Sequence, residues 1–331
     1  MALLAAVALA AVIQTAASAP FVQREIDAPG PHGPLRGTLL VPAAQDAQSV
    51  QGVHGEQGVQ APVVLIVPGS GPTDRNGDGP LVHTSMYRLL AQGLASHGIA
   101  SVRIDKRGMF GSAAAIPDAN DVGIDDYAND VHTWVARIRE TTGASCVWVL
   151  GHSEGGLVAL AAASRDTSAI CGLILVATAG RPLAQVLRDQ LKANPANAPI
   201  LDNAMSVLAT LESGQTVPAA RIDPALLPLF GPPVQRFLIS ELSLDPAALL
   251  ANYAKPVLIV QGLRDLQVGR ADAERLKQAD PRAQLALLEN VNHVLKTVDT
   301  ADRNENIATY GNPDLPLAEP VVDVIARFVR R

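Results

Sequence analysis

Aromatic residues are scarce in this chain, at 3% of 331 residues. So few flat rings argue against a base-stacking platform, and a net charge of −6 argues against the basic footprint that nucleic-acid backbones select. Cysteine is almost absent. Cys146 and Cys171 are the only two, and their spacing resembles no metal site. Each opens a short apolar, β-branched stretch, before Val147–Leu150 and before Leu173–Val176. If those stretches are neighbouring parallel strands, the sulfurs come close enough to bridge; otherwise they are two small buried hydrophobes. Long apolar runs are also missing. The longest at the N-terminus, Ala2 to Ile13, is shorter than the roughly 20 residues a membrane span needs. It is followed by Ala17-Ser18-Ala19, a small-x-small cleavage pattern, so residues 1–19 read as a signal peptide and the mature chain as periplasmic or secreted. No Lys or Arg precedes Arg24 and a Pro follows the cleavage point, which leaves an N-terminal helix or a misplaced start codon as alternatives.

What the chain has in quantity is Ala, Val and Leu, within a hydrophobic content of 48%. That composition suits a parallel sheet buried between helices. Apolar segments alternate accordingly. Val22–Ile26 and Leu35–Val41 read as an antiparallel hairpin joined through Pro29–Pro34, and residues 43–60 as a polar surface loop. Strands follow at Pro62–Val67, Ala100–Ile104, Val147–Leu150, Leu173–Ala177, Pro256–Gln261 and Gln284–Leu288, about eight in all. Helical spacing falls between them at Thr84–His97, Asp125–Thr141, after Gly155, near Ala271–Gln278 and at Glu319–Val329. Strands alternating with helices predict a mostly parallel sheet with helices on both faces, in one domain spanning 20–331. Residues 180–255 interrupt that rhythm. This Leu-rich, proline-punctuated stretch shows helical patterns at Leu183–Leu191, Leu201–Leu211, Ala225–Leu229 and Val234–Leu242, and it reads as a helical lid over an apolar pocket.

The stretch with the most chemistry is Gly151-His152-Ser153-Glu154-Gly155, set between a predicted strand and a small-residue helix. Gly-x-Ser-x-Gly in that context is a sharp turn that lifts a serine hydroxyl above a sheet. The glycines keep Cβ atoms out of the crossing of strand and helix. The backbone N–H of Glu154, in the first helical turn, then points where an oxyanion would form. A serine needs a neighbouring base to become nucleophilic, and the base needs an acceptor that fixes its tautomer. Only one histidine follows Ser153, namely His293, in Asn292-His293-Val294 just past the last strand. Asp265 follows the strand before it and so shares the carboxyl edge of the sheet, whereas Glu289 and Asp299 sit on the wrong strand or beyond it. His152 precedes the nucleophile, and its side chain is expected to face away and pack.

Two further segments complete the pattern. Gly69-Ser70-Gly71-Pro72-Thr73-Asp74-Arg75 follows the third predicted strand, and Asp105-Lys106-Arg107-Gly108 follows the fourth. With the Ser153 turn, they make the chain resemble the α/β-hydrolase superfamily over nearly its whole mature length, and within it bacterial esterases and serine-aminopeptidase-like hydrolases with a Gly-Ser-Gly-Pro-x-Asp-Arg loop. The resemblance implies an α/β-hydrolase fold with a helical cap, Ser153 as nucleophile, and the main-chain N–H groups of Ser70 and Glu154 as oxyanion hole. It also implies a bracing role for Gly69, Gly71, Asp74, Arg75, Asp105, Arg107, Gly151 and Gly155. Pro68 stands where many members carry His. Asp74–Gly79 imitates half of a calcium loop, but Ser85 occupies the position of the required bidentate Glu, so an Asx-stabilised turn is expected and no metal or cofactor. Asp118, Asp121, Asp125 and Asp126 are expected to cap the following helix.

The implied activity is hydrolysis of a small carboxylic ester, of short-to-medium acyl chain, through an acyl-enzyme on Ser153. The same Ser153–Asp265–His293 set would serve an aminopeptidase, amidase, thioesterase or acyltransferase. A hydrolase scaffold used only for binding is the reading from another class. The oligomeric state is not legible in the sequence.

Overall fold

The computed structural model describes residues 21–43 and 61–331. The expected signal peptide and nearly all of the expected 43–60 loop lie outside the described residues. Eight strands form one sheet: β1 (Phe21–Ala28), β2 (Leu35–Pro42), β3 (Val63–Val67), β4 (Ala100–Ile104), β5 (Val147–His152), β6 (Ile170–Val176), β7 (Val257–Gly262) and β8 (Gln284–Leu288). Their spatial order is β1-β2-β4-β3-β5-β6-β7-β8. The β1–β2 hairpin is antiparallel and β2 meets β4 antiparallel. From β4 to β8 every pairing is parallel. The central strands are buried on both faces, so β3 reads as a continuous Val, Leu and Ile run, while β4 interleaves the buried Ser101 and Arg103 with Ala100, Val102 and Ile104.

Helices cover both sides. On one face lie α1 (Met86–Ser96) and the closing helix Glu319–Val329. On the other lie α2 (Ile124–Thr142) and α3 (Glu154–Ala163). The pleat divides each strand between the two cores: Leu65 packs with Trp134 of α2, Val64 and Ile66 with Leu90 and Leu94 of α1. Every residue of α3 is buried, which explains the run of small and apolar residues that follows Glu154.

Cys146 and Cys171 form a disulfide, with Cα atoms 5.2 Å apart. It lies beside the register shift where β5 and β6 begin to pair. Of the two readings the sequence left open, the structure takes the bridge.

Between β6 and β7 the chain leaves the sheet and builds α4 (Leu183–Ala193), α5 (Leu201–Glu212), α6 (Leu227–Phe230), α7 (Pro232–Leu242) and α8 (Pro246–Ala251). These helices enclose an apolar cluster of their own around Leu208, Leu211 and Phe230. The expected helix at Ala225–Leu229 is instead a 3₁₀ turn, Pro224–Leu226, followed by the single turn of α6. Pro224 and Pro228 remove the N–H groups a continuous helix would need. The sequence reading missed α8, whose start is capped by the Asp245 carboxylate accepting from Ala247 and Ala248 N–H. The acidic run before α2 divides its work. Asp126 accepts from Gly123 N–H and completes the cap, whereas Asp118 binds Asn120 within its own turn and Asp121 pairs with Arg236 of α7.

Candidate active site

Ser153 sits between β5 and α3 at φ 54°, ψ −120°, in the region that side chains rarely enter. The surroundings hold it there. A Cβ on Gly151 would lie 2.2 Å from the carbonyl oxygen of Gly155, and one on Gly155 would lie 2.3 Å from that of Val67. Strand and helix cross too closely for any other residue at these positions. Ser153 N–H donates to Val176 O at 2.8 Å, tying the turn to the neighbouring strand.

His293 and Asp265 meet at the same edge of the sheet. The loop after β7 carries Asp265, and the loop after β8 carries His293. His293 Nδ1 lies 2.7 Å from Asp265 Oδ2. The carboxylate is fully buried and also accepts from the N–H groups of Gln267 and Val268 at 2.7 and 2.9 Å. So anchored, it takes Nδ1–H and leaves Nε2 as the lone-pair nitrogen. A second network holds the backbone of His293. Asn292 Nδ2 donates to Asn306 Oδ1 and Thr309 Oγ1, and Lys296 N–H donates to Asn292 Oδ1 at 3.0 Å.

His152 packs, as its position before Ser153 suggested, but it also relays contact. Gly69 N–H donates to the Tyr87 hydroxyl at 3.0 Å, which lies 2.9 Å from His152 Nδ1. His152 Nε2 then lies 2.9 Å from His293 O, so it carries the proton and donates to that carbonyl. Burial, and then the nearby His293, push the His152 pKa down to about 3. A neutral ring therefore links the Gly69 loop to the loop of His293, and the two imidazoles lie 4.8 Å apart.

The Gly69–Asp74 loop is braced much as expected. Asp74 Oδ1 accepts from Asn76 and Asp78 N–H, giving the Asx-stabilised turn. Arg75 N–H and Nε donate to the two oxygens of Asp105 at 2.8 and 3.0 Å. Arg107 departs from its expected place. It makes a two-pronged pair with Asp130 of α2, at 2.7 and 2.6 Å, and so anchors that helix instead of the loop. Its neighbour Lys106 is the cation at the site. The buried Lys106 ammonium donates to Gly69 O at 2.8 Å and to Glu154 Oε1 at 3.0 Å. Lys106 and Tyr87 were missed in the sequence because each contact spans a separation that no local pattern encodes.

Ser70, Ser153 and Glu154 line one cavity of about 210 Å³. Leu157 of α3, Leu183, Val186 and Leu187 of α4, and Val268 give it apolar walls. Arg181, at its rim, is held by Asp272 on helix Arg270–Ala279.

The strand order, the turn at Ser153 and the Asp265–His293 pair together define an α/β-hydrolase fold. The family whose profile matches residues 78–225 is described as serine aminopeptidase, S33. Esterase EstD of Thermotoga maritima is 29% identical over 272 residues, covering 81% of this chain and 62% of that one. The chain thus spans about three-fifths of the length of this curated relative. Among solved structures, an esterase of Pyrococcus furiosus aligns over 94% of this chain and 91% of its own at a TM-score of 0.57 and 15% identity. Est1E from Butyrivibrio proteoclasticus aligns over 93% and 99% at 0.55 and 14%. In sequence and in fold, then, the chain is similar to α/β-hydrolases.

Proposed function

We propose that the protein is a serine hydrolase that cleaves small carboxylic esters through an acyl-enzyme on Ser153. The observation that carries this reading is the His293–Asp265 contact at the rim that also bears the strained serine. One ring nitrogen is committed to a buried carboxylate, so the other is available to take a proton. In the reaction, His293 Nε2 removes the Ser153 proton as the hydroxyl attacks the ester carbonyl. The N–H groups of Ser70 and Glu154 receive the oxyanion, His293 protonates the leaving alcohol, and water reverses the sequence to release the acid.

Lys106 gives that oxyanion hole its rigidity. Gly69 O and Ser70 N–H belong to one trans peptide and point in opposite directions. Holding the carbonyl on the Lys106 ammonium therefore aims Ser70 N–H the other way and polarises it. The same ammonium holds the side chain of Glu154, the residue that supplies the second donor.

A cavity of about 210 Å³ is smaller than the roughly 300–1,000 Å³ of drug-sized ligand sites, which favours short-to-medium acyl groups. The names of the similar proteins favour an ester over an amide. The serine aminopeptidase description of the matching family favours the amide or peptide reading, and aminoacyl anilides tested beside nitrophenyl esters separate the two. The disulfide supports export to an oxidising compartment, in line with residues 1–19 acting as a signal peptide.

The decisive experiment combines Ser153→Ala with labelling by a fluorophosphonate. The wild type should be labelled at Ser153 and hydrolyse short nitrophenyl esters. The variant should fold, escape labelling and lose several decades of kcat. Undiminished turnover by the variant would sink the assignment.

A further inference from the structure

One group in the substrate cavity is not used by the chemistry above. Glu241, near the end of α7, lines the same cavity as Ser70, Ser153 and Glu154. It is nine-tenths buried. Among the described residues its carboxyl takes part in no hydrogen bond and no ion pair.

The charges around it are already assigned. Lys106, the nearest cation, is bound to Glu154 and to Gly69 O. Arg181 is bound to Asp272 and Asp189. Arg107 is bound to Asp130 and Asp126, and Arg236 to Asp121 and Asp126. Across the cavity stands the carboxylate of Glu154. A second negative charge beside Glu154 would lack a counter-ion of its own, so Glu241 keeps its proton at neutral pH. Burial, reinforced by Glu154, pushes its pKa up to about 8, with Lys106 opposing. A carboxylic acid in this state is a hydrogen-bond donor on the cavity wall, beside the apolar side chains of Leu157, Leu183, Val186 and Leu187.

We propose that Glu241, as a neutral acid, donates a hydrogen bond to an uncharged oxygen of the substrate, so that the preferred esters carry an ether, hydroxyl or carbonyl oxygen in addition to the ester group. This names the substrate class of the serine-hydrolase site and rests on that reading. Such an oxygen satisfies a donor that a plain hydrocarbon chain leaves unpaired, and buried unpaired groups discriminate more sharply than apolar fit does. A substrate carboxylate is disfavoured by Glu154. A substrate ammonium would bind only by displacing the Glu241 proton, and would be favoured as pH rises above about 8.

The test uses the full chain and matched pairs of esters in which one methylene, in the acyl or in the alcohol part, is replaced by an ether oxygen. An ammonium-bearing ester of similar length is run beside them, from pH 6 to 9. Wild type should favour the ether ester over its hydrocarbon twin by roughly tenfold in kcat/KM. The preference should fade as pH rises through about 8. Glu241→Leu should remove it while hydrolysis of the hydrocarbon ester persists, and Glu241→Gln, which keeps an N–H donor, should restore part of it. An ether-to-hydrocarbon ratio unchanged in Glu241→Leu would overturn the proposal, as would a preference for the ammonium ester already present at pH 6 to 7, where the acid should be neutral. If the wild type hydrolyses hydrocarbon esters and takes the fluorophosphonate label, either result refutes the Glu241 role alone. If it does neither, the esterase reading falls and takes this inference with it.

Discussion

The rim of the sheet and the helical insertion face each other across one small cavity, yet they are held together by different means. At the rim, positions are fixed by backbone crossings without room for a Cβ and by hydrogen bonds near 2.7–3.0 Å among buried polar groups. Residues 183–242 rest largely on a separate cluster of Leu, Val and Phe side chains and on prolines that chop the chain into short helices, whereas Leu250 of α8 joins the core under the sheet. Their polar ties to the sheet layers are side-chain ones: Ser240 Oγ accepts from Ile124 N–H, Arg236 pairs with Asp121 and Asp126, and Asp245 pairs with Arg275, while Arg181, just before α4, pairs with Asp272. Hydrophobic contact is non-directional, so the insertion can vary in shape where the rim cannot. Chemistry that tolerates errors of less than an ångström is placed on the rigid side, and choice of substrate on the adaptable one.

That contrast can be broken in four ways. The largest effect is expected at the rim itself. Asp265→Asn keeps the shape but lets His293 adopt the wrong tautomer, and kcat should fall by about 10⁴-fold. Thermal unfolding should show the variant still folded; a loss of less than tenfold would mean that another group orients the histidine.

Next comes Phe230→Ala in the insertion, where a fully buried ring is removed. Such a truncation costs about 3–5 kcal/mol. If the insertion is a separate cluster, amide exchange should quicken across residues 183–242 and stay slow in β3 to β7. Equal quickening in both would show that the two unfold as one unit.

A smaller catalytic loss is expected for Lys106→Met. Without its ammonium the Gly69–Ser70 peptide loses its anchor, and kcat should drop by about 10–100-fold with little change in KM. Arginine at the same position should recover part of it. A matched rise in KM would place Lys106 in substrate binding instead.

The smallest effect is a difference in how the two regions respond to pH. His152, at the rim, is held near 3 by burial and His293, against about 6.5 when unfolded. As pH falls from about 6.5 toward 3 the unfolded chain binds a proton that the native ring refuses, so stability is lost in acid. Glu241, on the insertion, has the opposite sign. Its native pKa is raised to about 8 by burial and Glu154, so stability is lost as pH rises from the unfolded value toward 8. Melting temperatures should therefore fall in acid and again as pH rises from about 6.5 toward 8, and Glu241→Gln should remove the second fall. An unchanged alkaline slope would show that the acid is not buried as described.

Much of the rim was legible beforehand, for physical reasons that are local. Ser153 announces itself because a sharp strand-to-helix crossing admits only glycine at positions 151 and 155. His293 is the one histidine downstream of it, and Asp265 ends the preceding strand. The Asp74 turn depends on a side chain reaching two and four residues ahead. Arg107 was misplaced because a guanidinium after β4 reaches both the Gly69 loop and α2, and nothing in the sequence ranks Asp130 above Asp74 as its partner. The broken helix at residues 224–230 was signalled by its prolines, although their effect on the periodic pattern was underestimated.

By itself, then, the order of residues determined which strands are buried, where the serine turn stands and which acid and base can share its edge. These follow from periodicity, turn chemistry and steric exclusion, all of which act over a few residues. Only the folded molecule decided that Cys146 bridges Cys171, that Lys106 clasps both Gly69 and Glu154, and that Glu241 enters the cavity without a partner. Those pairings join segments as far apart as 48 positions, and burial fixes charge and protonation only after distant segments have closed around the group.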